Sequence, residues 1–126
     1  MQEAISDAGI QAEDIQFINA HGTSTPLNDK AECLAMKKVF NKNQRIKLTS
    51  IKSMIGHLLS AAGSVEFIST VMRIKEGIIP PTINTQELDT ECSMDIVLGK
   101  AQIPTRVSGT GVVFHLGRML LLINPS

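Results

Sequence analysis

INAHGTSTP, residues Ile18 to Pro26, is where the chain changes character: a short apolar run breaks into an imidazole, a glycine and three hydroxyls closed by a proline. The apolar part reaches back to Asp14, and DIQFINA, Asp14 to Ala20, reads as a buried strand with His21 at its carboxyl end. Before it, residues 2 to 8 read as the last turns of a helix stopped by Gly9, which can take the left-handed conformation that ends helices. After it, Asp29 followed by Glu32 has capping-box spacing, and Ala31, Leu34, Ala35 and Val39 recur at helical intervals to about Phe40. The polar run NKNQR closes that helix.

The pattern then repeats. IKLTSI, Ile46 to Ile51, is a second strand, ending in KSMIGH, a second polar break that carries Lys52 and His57. A long helix is predicted over Leu58 to Glu76, apolar or small around most of its circumference, which points to burial between layers. GIIPPTIN is extended, because paired prolines forbid helix. MDIVL, RVSGTGVVFH and MLLLI read as three strands, the last two joined as a hairpin through Leu116-Gly117-Arg118. Strand and helix alternating before terminal strands predict a layered α/β fold, with a mixed sheet and a buried central helix.

The 126 residues suffice for one domain, and twelve basic against twelve acidic side chains remove the electrostatic case for nucleic acid or an anionic membrane. No Trp or Tyr is available to stack on bases. No apolar run has the length of a membrane span, and the amino end lacks the basic-then-apolar order of a signal peptide. Gln2-Glu3-Ala4-Ile5 begins in mid-helix without a cap, as in a segment cut from a longer chain. Cys33 and Cys92 lie far apart without metal or redox spacing and read as reduced thiols in a cytosolic compartment.

Ligands of α/β sheets collect beyond the carboxyl ends of strands, so His21 and His57, each just past a strand, are placed to face one pocket. Each alone more often serves as a structural hydrogen-bonding residue. As a pair of neutral imidazoles aimed at one oxygen they would stabilise an enolate or other developing oxyanion. Lys52 would hold a charge partner, with Glu66 on the following helix, or be simply solvated. Thr23 and Thr25 either stabilise the turn or donate to a polar ligand. A zinc site would need a fourth group beside His21, His57 and His115, and nothing in the sequence supplies one. Ser24, His21 and Asp29 lack the nucleophile-elbow context of a serine triad.

NAHGTSTPLNDKAE, SIKSMIGHLLSAAGSVE and PPTIN, in that order, closely resemble the β-ketoacyl-acyl carrier protein synthases, the condensing enzymes of fatty-acid and polyketide synthesis, over roughly Gln2 to Ala101. The chain looks like the carboxyl-terminal part of such an enzyme, nearest the fatty-acid elongating type II form. The resemblance implies the layered thiolase-like fold. Residues 1–126 would be its carboxyl-terminal domain, incomplete at the amino-terminal edge and atypical from about residue 102. By the same resemblance His21 and His57 form the condensation site, Lys52 is the family lysine with Glu66 as its acidic partner, and Thr23 and Thr25 meet the pantetheine arm.

The implied partners are an acyl carrier protein, the amino-terminal half of the synthase and a second subunit of a homodimer. The implied location is the cytoplasm or an organelle. No cofactor or metal is implied, since the substrates carry phosphopantetheine on the carrier protein. Two departures stand out. The family's cysteine nucleophile belongs to the amino-terminal half, so none is expected in this chain, and VVFHLGRM replaces the family's glycine-rich loop between the last two strands. The alternatives are a catalytically silent synthase-like subunit and an inactive truncated gene product.

Overall fold

The computed structural model describes residues 1–41, 45–92 and 94–103, together with the backbone of two strands at 110–115 and 118–123. The chain opens with α1 (Gln2–Asp7), and Gly9 ends it as expected: Gly9 is left-handed, and the Ile10 and Gly9 N–H groups donate to the Ile5 and Ser6 carbonyls. A 3₁₀ turn at Ala12–Asp14 leads into β1 (Phe17–Asn19), shorter than the apolar run suggested. The helix α2 (Pro26–Phe40) starts three residues before the predicted Asp29, because Thr25 is the flanking residue and Pro26 fits the first helical turn, where no N–H is needed.

β2 (Lys47–Thr49) follows, and the polar break after it is itself a short helix, α3 (Lys52–Ile55), stopped by Gly56 at a φ of 76°. The predicted long helix divides into a 3₁₀ turn at Leu59–Ala61 and α4 (Ala62–Glu76), closed by left-handed Gly77. The proline segment makes only isolated bridges, Ile79 with Gln102 and Thr82 with Leu98. The terminal strands are β3 (Asp95–Ile96), β4 (Thr110–His115) and β5 (Arg118–Ile123).

The sheet order is β3-β2-β1-β4-β5. β1 pairs in parallel with β2 and β4, and β2 with β3, while β5 runs antiparallel to β4 in the hairpin register, His115 opposite Arg118. The turn residues 116–117 and residues 42–44 of NKNQR lie outside the described residues. Alternation along β1 separates two layers. Ile18 and Ala20 pack with Ile5, Ile15, Met36, Phe40, Ile46 and Leu48, the core shared with α1 and α2. On the other face Phe17 lies under the Arg73 guanidinium of α4, and Asn19 donates to the Glu66 carbonyl of the same helix.

α4 departs from the expectation of burial all round. The row it buries is Ala62, Glu66, Thr70 and Arg73, whereas Phe67, Ile68, Val71 and Met72 remain substantially exposed. The polar residues face the sheet and the large apolar ones face out, the reverse of an ordinary surface helix. Among the described residues no helix is long and apolar enough to cross a membrane.

The reading of the cysteines as free thiols is corrected. Cys33 on α2 and Cys92 before β3 form a disulfide across a sequence separation of 59, their Cα atoms 5.5 Å apart. Spacing could not show this, since the pairing depends on how the segment after Thr82 folds back onto α2.

Candidate active site

Two strand ends build the site. β1 delivers His21, and β2 delivers α3, whose first residue is Lys52 and whose terminating Gly56 releases the chain to His57. The two imidazoles meet edge to face, ring centroids 5.5 Å apart and planes at 88°. His21 is buried and His57 exposed.

The Leu59 N–H donates to His57 Nδ1 at 3.0 Å. A ring nitrogen that accepts holds no proton, so the neutral imidazole carries its hydrogen on Nε2 and can donate it outward. Leu59 adopts a left-handed backbone to make this contact, with φ of 49°. A branched residue there is strained by about 1 to 2 kcal/mol, a departure of the kind that gathers at functional sites.

Lys52 and Glu66 form an ion pair in which both side chains are almost fully buried. The pairing of these two residues, expected from the place of Glu66 on the following helix with a solvated lysine as the alternative, and implied again by the resemblance, is a direct contact between α3 and α4. Thr23 and Thr25 share a hydrogen bond of 3.0 Å between their hydroxyls, on an exposed turn, so the turn-stabilising reading accounts for their contact with each other. Among the described residues no group of three or more His, Cys, Asp and Glu is gathered as for a metal.

A cavity of about 420 Å³ opens beside the site, between α2, the end of β2 and the segment from Thr82 to Cys92. Lys52, His57 and Thr23 line it, and His21 does not. The histidines are brought together at one edge of the cavity, where His57 reaches its lining and His21 sits behind it.

Glu32 is the residue that sequence reasoning misplaced. It is not a helix cap: its carboxylate accepts the His21 N–H at 2.8 Å and the Gly22 N–H at 2.9 Å, fixing the backbone from which the His21 ring projects. The available signal was its place on the inward row of α2 with Cys33, Met36 and Phe40, because a carboxylate on an apolar face requires partners. Ser50 was missed as well. Its hydroxyl donates to the Gly22 carbonyl at 3.0 Å, and a Cβ added at Gly22 would come within 2.7 Å of the Ser50 side chain, so only glycine fits this turn.

Burial holds the Glu32 carboxyl above the ordinary carboxylate range, against the opposing effect of the Gly22 and His21 N–H groups. The folded chain therefore keeps this proton to higher pH than the unfolded chain does. The associated stability is fully present below the unfolded pKa and is lost as pH rises through the folded one. Urea unfolding across that window should show a midpoint that declines with rising pH, and Glu32→Gln should flatten that part of the profile. A wild-type midpoint that rises with pH there would refute the assignment.

Residues 1–86 match the family described as beta-ketoacyl synthase, C-terminal domain. The chain belongs to the β-ketoacyl synthase family. A 3-oxoacyl-[acyl-carrier-protein] synthase 2 of Staphylococcus aureus is 48% identical over 103 residues, a match that covers 81% of this chain and 26% of the relative. A β-ketoacyl synthase from Burkholderia phymatum superposes with a TM-score of 0.81 at 35% identity, covering 94% of this chain and 29% of its own. A type II polyketide acyl-carrier protein in complex with its ketosynthase bound to the hexaketide gives a TM-score of 0.83 at 33% identity, covering 89% and 27%. The chain thus spans about a quarter of the length of the synthases it matches. These likenesses bear out the thiolase-like α/β fold.

Proposed function

We propose that this chain is the carboxyl-terminal part of a 3-oxoacyl-[acyl-carrier-protein] synthase, an acyltransferase of fatty-acid or polyketide biosynthesis, and that it contributes the His21, His57 and Lys52 portion of the condensation site. The observation that carries the reading is the edge-to-face contact of His21 and His57 at two strand ends, with the buried Lys52–Glu66 pair behind them.

In this reading an acyl group is held as a thioester on a cysteine of the amino-terminal half. Malonyl thioester, delivered on the pantetheine arm of an acyl carrier protein, loses carbon dioxide. The electrons of the broken carbon–carbon bond pass into an enolate, whose oxygen accepts hydrogen bonds from His21 and from His57 Nε2. The enolate carbon attacks the acyl thioester, and the cysteine leaves as thiolate. Lys52, held by Glu66, orients its neighbours and sets the local field, while Thr23 and Thr25 turn their hydroxyls to the pantetheine arm.

The partners are accordingly an acyl carrier protein, the amino-terminal half and a second subunit, in the cytoplasm or an organelle, with residues 1–126 acting as one domain of a longer enzyme. No resident cofactor enters this scheme. The outward apolar residues of α4 support it, because an exposed row of Phe67, Ile68, Val71 and Met72 is what a covering layer would need.

The test is a graft, in which the matching segment of the Staphylococcus aureus relative is replaced by this chain's residues and the product is assayed with acyl and malonyl carrier proteins. The grafted enzyme should condense, and the chain on its own should not. A folded graft that binds carrier protein yet releases no carbon dioxide would overturn the proposal.

A further inference from the structure

The cavity beside the site is walled on its outer side by Thr82 to Cys92, a segment without helix or strand. Its two ends are fastened differently. At the start, the Ile83 N–H donates to Ser53 Oγ and Asn84 Nδ2 donates to the Ser53 carbonyl, each at 3.0 Å, tying the segment to α3 next to Lys52. Asn84 turns the corner in a left-handed conformation, with φ of 60°, which asparagine tolerates better than most residues. At the far end Asp89 closes a turn, its carboxylate accepting the Glu91 N–H and its carbonyl the Cys92 N–H. That end reaches α2 through the Cys33–Cys92 disulfide, through the Lys30–Glu91 ion pair at 2.7 Å, and through Lys37, which donates to the Glu91 carbonyl.

The segment is therefore a strap between the two helices that carry the halves of the site: α3 with Lys52, and α2 with Glu32, which holds the His21 backbone. The contacts at its far end are unequal. Lys30 and Glu91 are more than half exposed, and an ion pair of that kind holds little in water. The covalent bond is the principal fastening there, and both of its sulfur-bearing residues line the cavity.

We propose that Cys33 and Cys92 form a redox modification site whose oxidation closes the strap Thr82–Cys92 against α2 over the cavity and whose reduction frees it. The reductant is a dithiol of the thioredoxin class. One of its thiolates attacks the Cys33–Cys92 bond to give a mixed disulfide, and its second thiolate displaces the remaining cysteine. Two electrons and two protons pass to the pair, leaving two thiols here and a disulfide on the reductant. Closure is the reverse step, with a disulfide such as oxidised glutathione accepting the two electrons. In a reducing compartment the strap rests open and an oxidising episode fastens it. The α3 end, held by neutral hydrogen bonds to Ser53, stays attached in both states.

The full 126-residue chain is prepared without reductant, and its peptides are mapped by mass spectrometry. The peptide containing Cys33 should be joined to that containing Cys92, lighter by two hydrogens than the sum of the two. Amide hydrogen exchange is then compared before and after dithiothreitol, and in Cys33→Ser. With local opening governed by the weak surface contacts that remain, exchange in residues 85–92 should quicken about tenfold on reduction, while β1 and α2 do not change. Cys33→Ser should exchange at the reduced rate with or without dithiothreitol. The proposal is overturned if iodoacetamide alkylates both cysteines even after treatment with oxidised glutathione. It is equally overturned if a verified cross-linked chain exchanges residues 85–92 no more slowly than the reduced one.

Discussion

Lys52→Ala will destabilise the fold by about 3 to 5 kcal/mol, the range for removing one member of a buried ion pair. Glu66 is 1% exposed and its partner 8%, so the substitution takes from an interior carboxylate the ammonium it is paired with. In thermal unfolding the loss corresponds to a drop of roughly 10 to 20 °C for a chain of this size.

The control is Lys52→Met combined with Glu66→Leu, which removes both charges and keeps most of the volume. Such replacements are often neutral or better, so the double variant should recover most of the stability. It should not recover catalysis if Lys52 sets the field around the histidines. A single Lys52→Ala variant within about 1 kcal/mol of the parent would place the pair among ordinary surface contacts and remove this account of its burial.

The parts of the fold legible in the sequence were those in which local chemistry and tertiary position agree. The short apolar run ending at Ala20 reads as a strand buried on both faces, and β1 is buried throughout, while Gly9 marks a helix end because only a left-handed residue completes that turn. α4 was legible as a helix but not in its orientation. Its composition reads apolar all round, yet the row that meets the sheet is Ala62, Glu66, Thr70 and Arg73, whose polar members meet Lys52, Asn19 and the Phe17 ring.

Those partners are non-local: Asn19 lies 47 residues from the Glu66 carbonyl to which it donates, and Phe17 lies under Arg73. Glu32 and Cys33 failed for the same reason. Glu32 fits a cap by spacing, but its real partners come from the turn after β1, and Cys33 meets Cys92 through a segment with no periodicity to announce its course. The site histidines were legible individually by their place after strands. Their approach to 5.5 Å is a property of β1 and β2 being neighbours in the sheet.

In the grafted synthase, His21→Ala and His57→Ala should each slow malonyl decarboxylation by about a hundred- to a thousandfold, the loss of 3 to 4 kcal/mol typical of removing one preorganised oxyanion donor. Acyl transfer to the cysteine should be comparatively spared. Acylation develops its charge on the acyl thioester oxygen near the nucleophile, whereas decarboxylation develops it on the malonyl thioester, which in the proposed reading faces the histidines. The two rings are not equivalent, however. His57 has its tautomer fixed by the Leu59 N–H, so His57→Gln, which keeps a donor at nearly the same reach, should retain more decarboxylation than His57→Ala. Acyl-enzyme formation and carbon dioxide release must be measured separately. Equal losses in both steps for either alanine variant would show that the histidines act on the nucleophile instead of on the enolate.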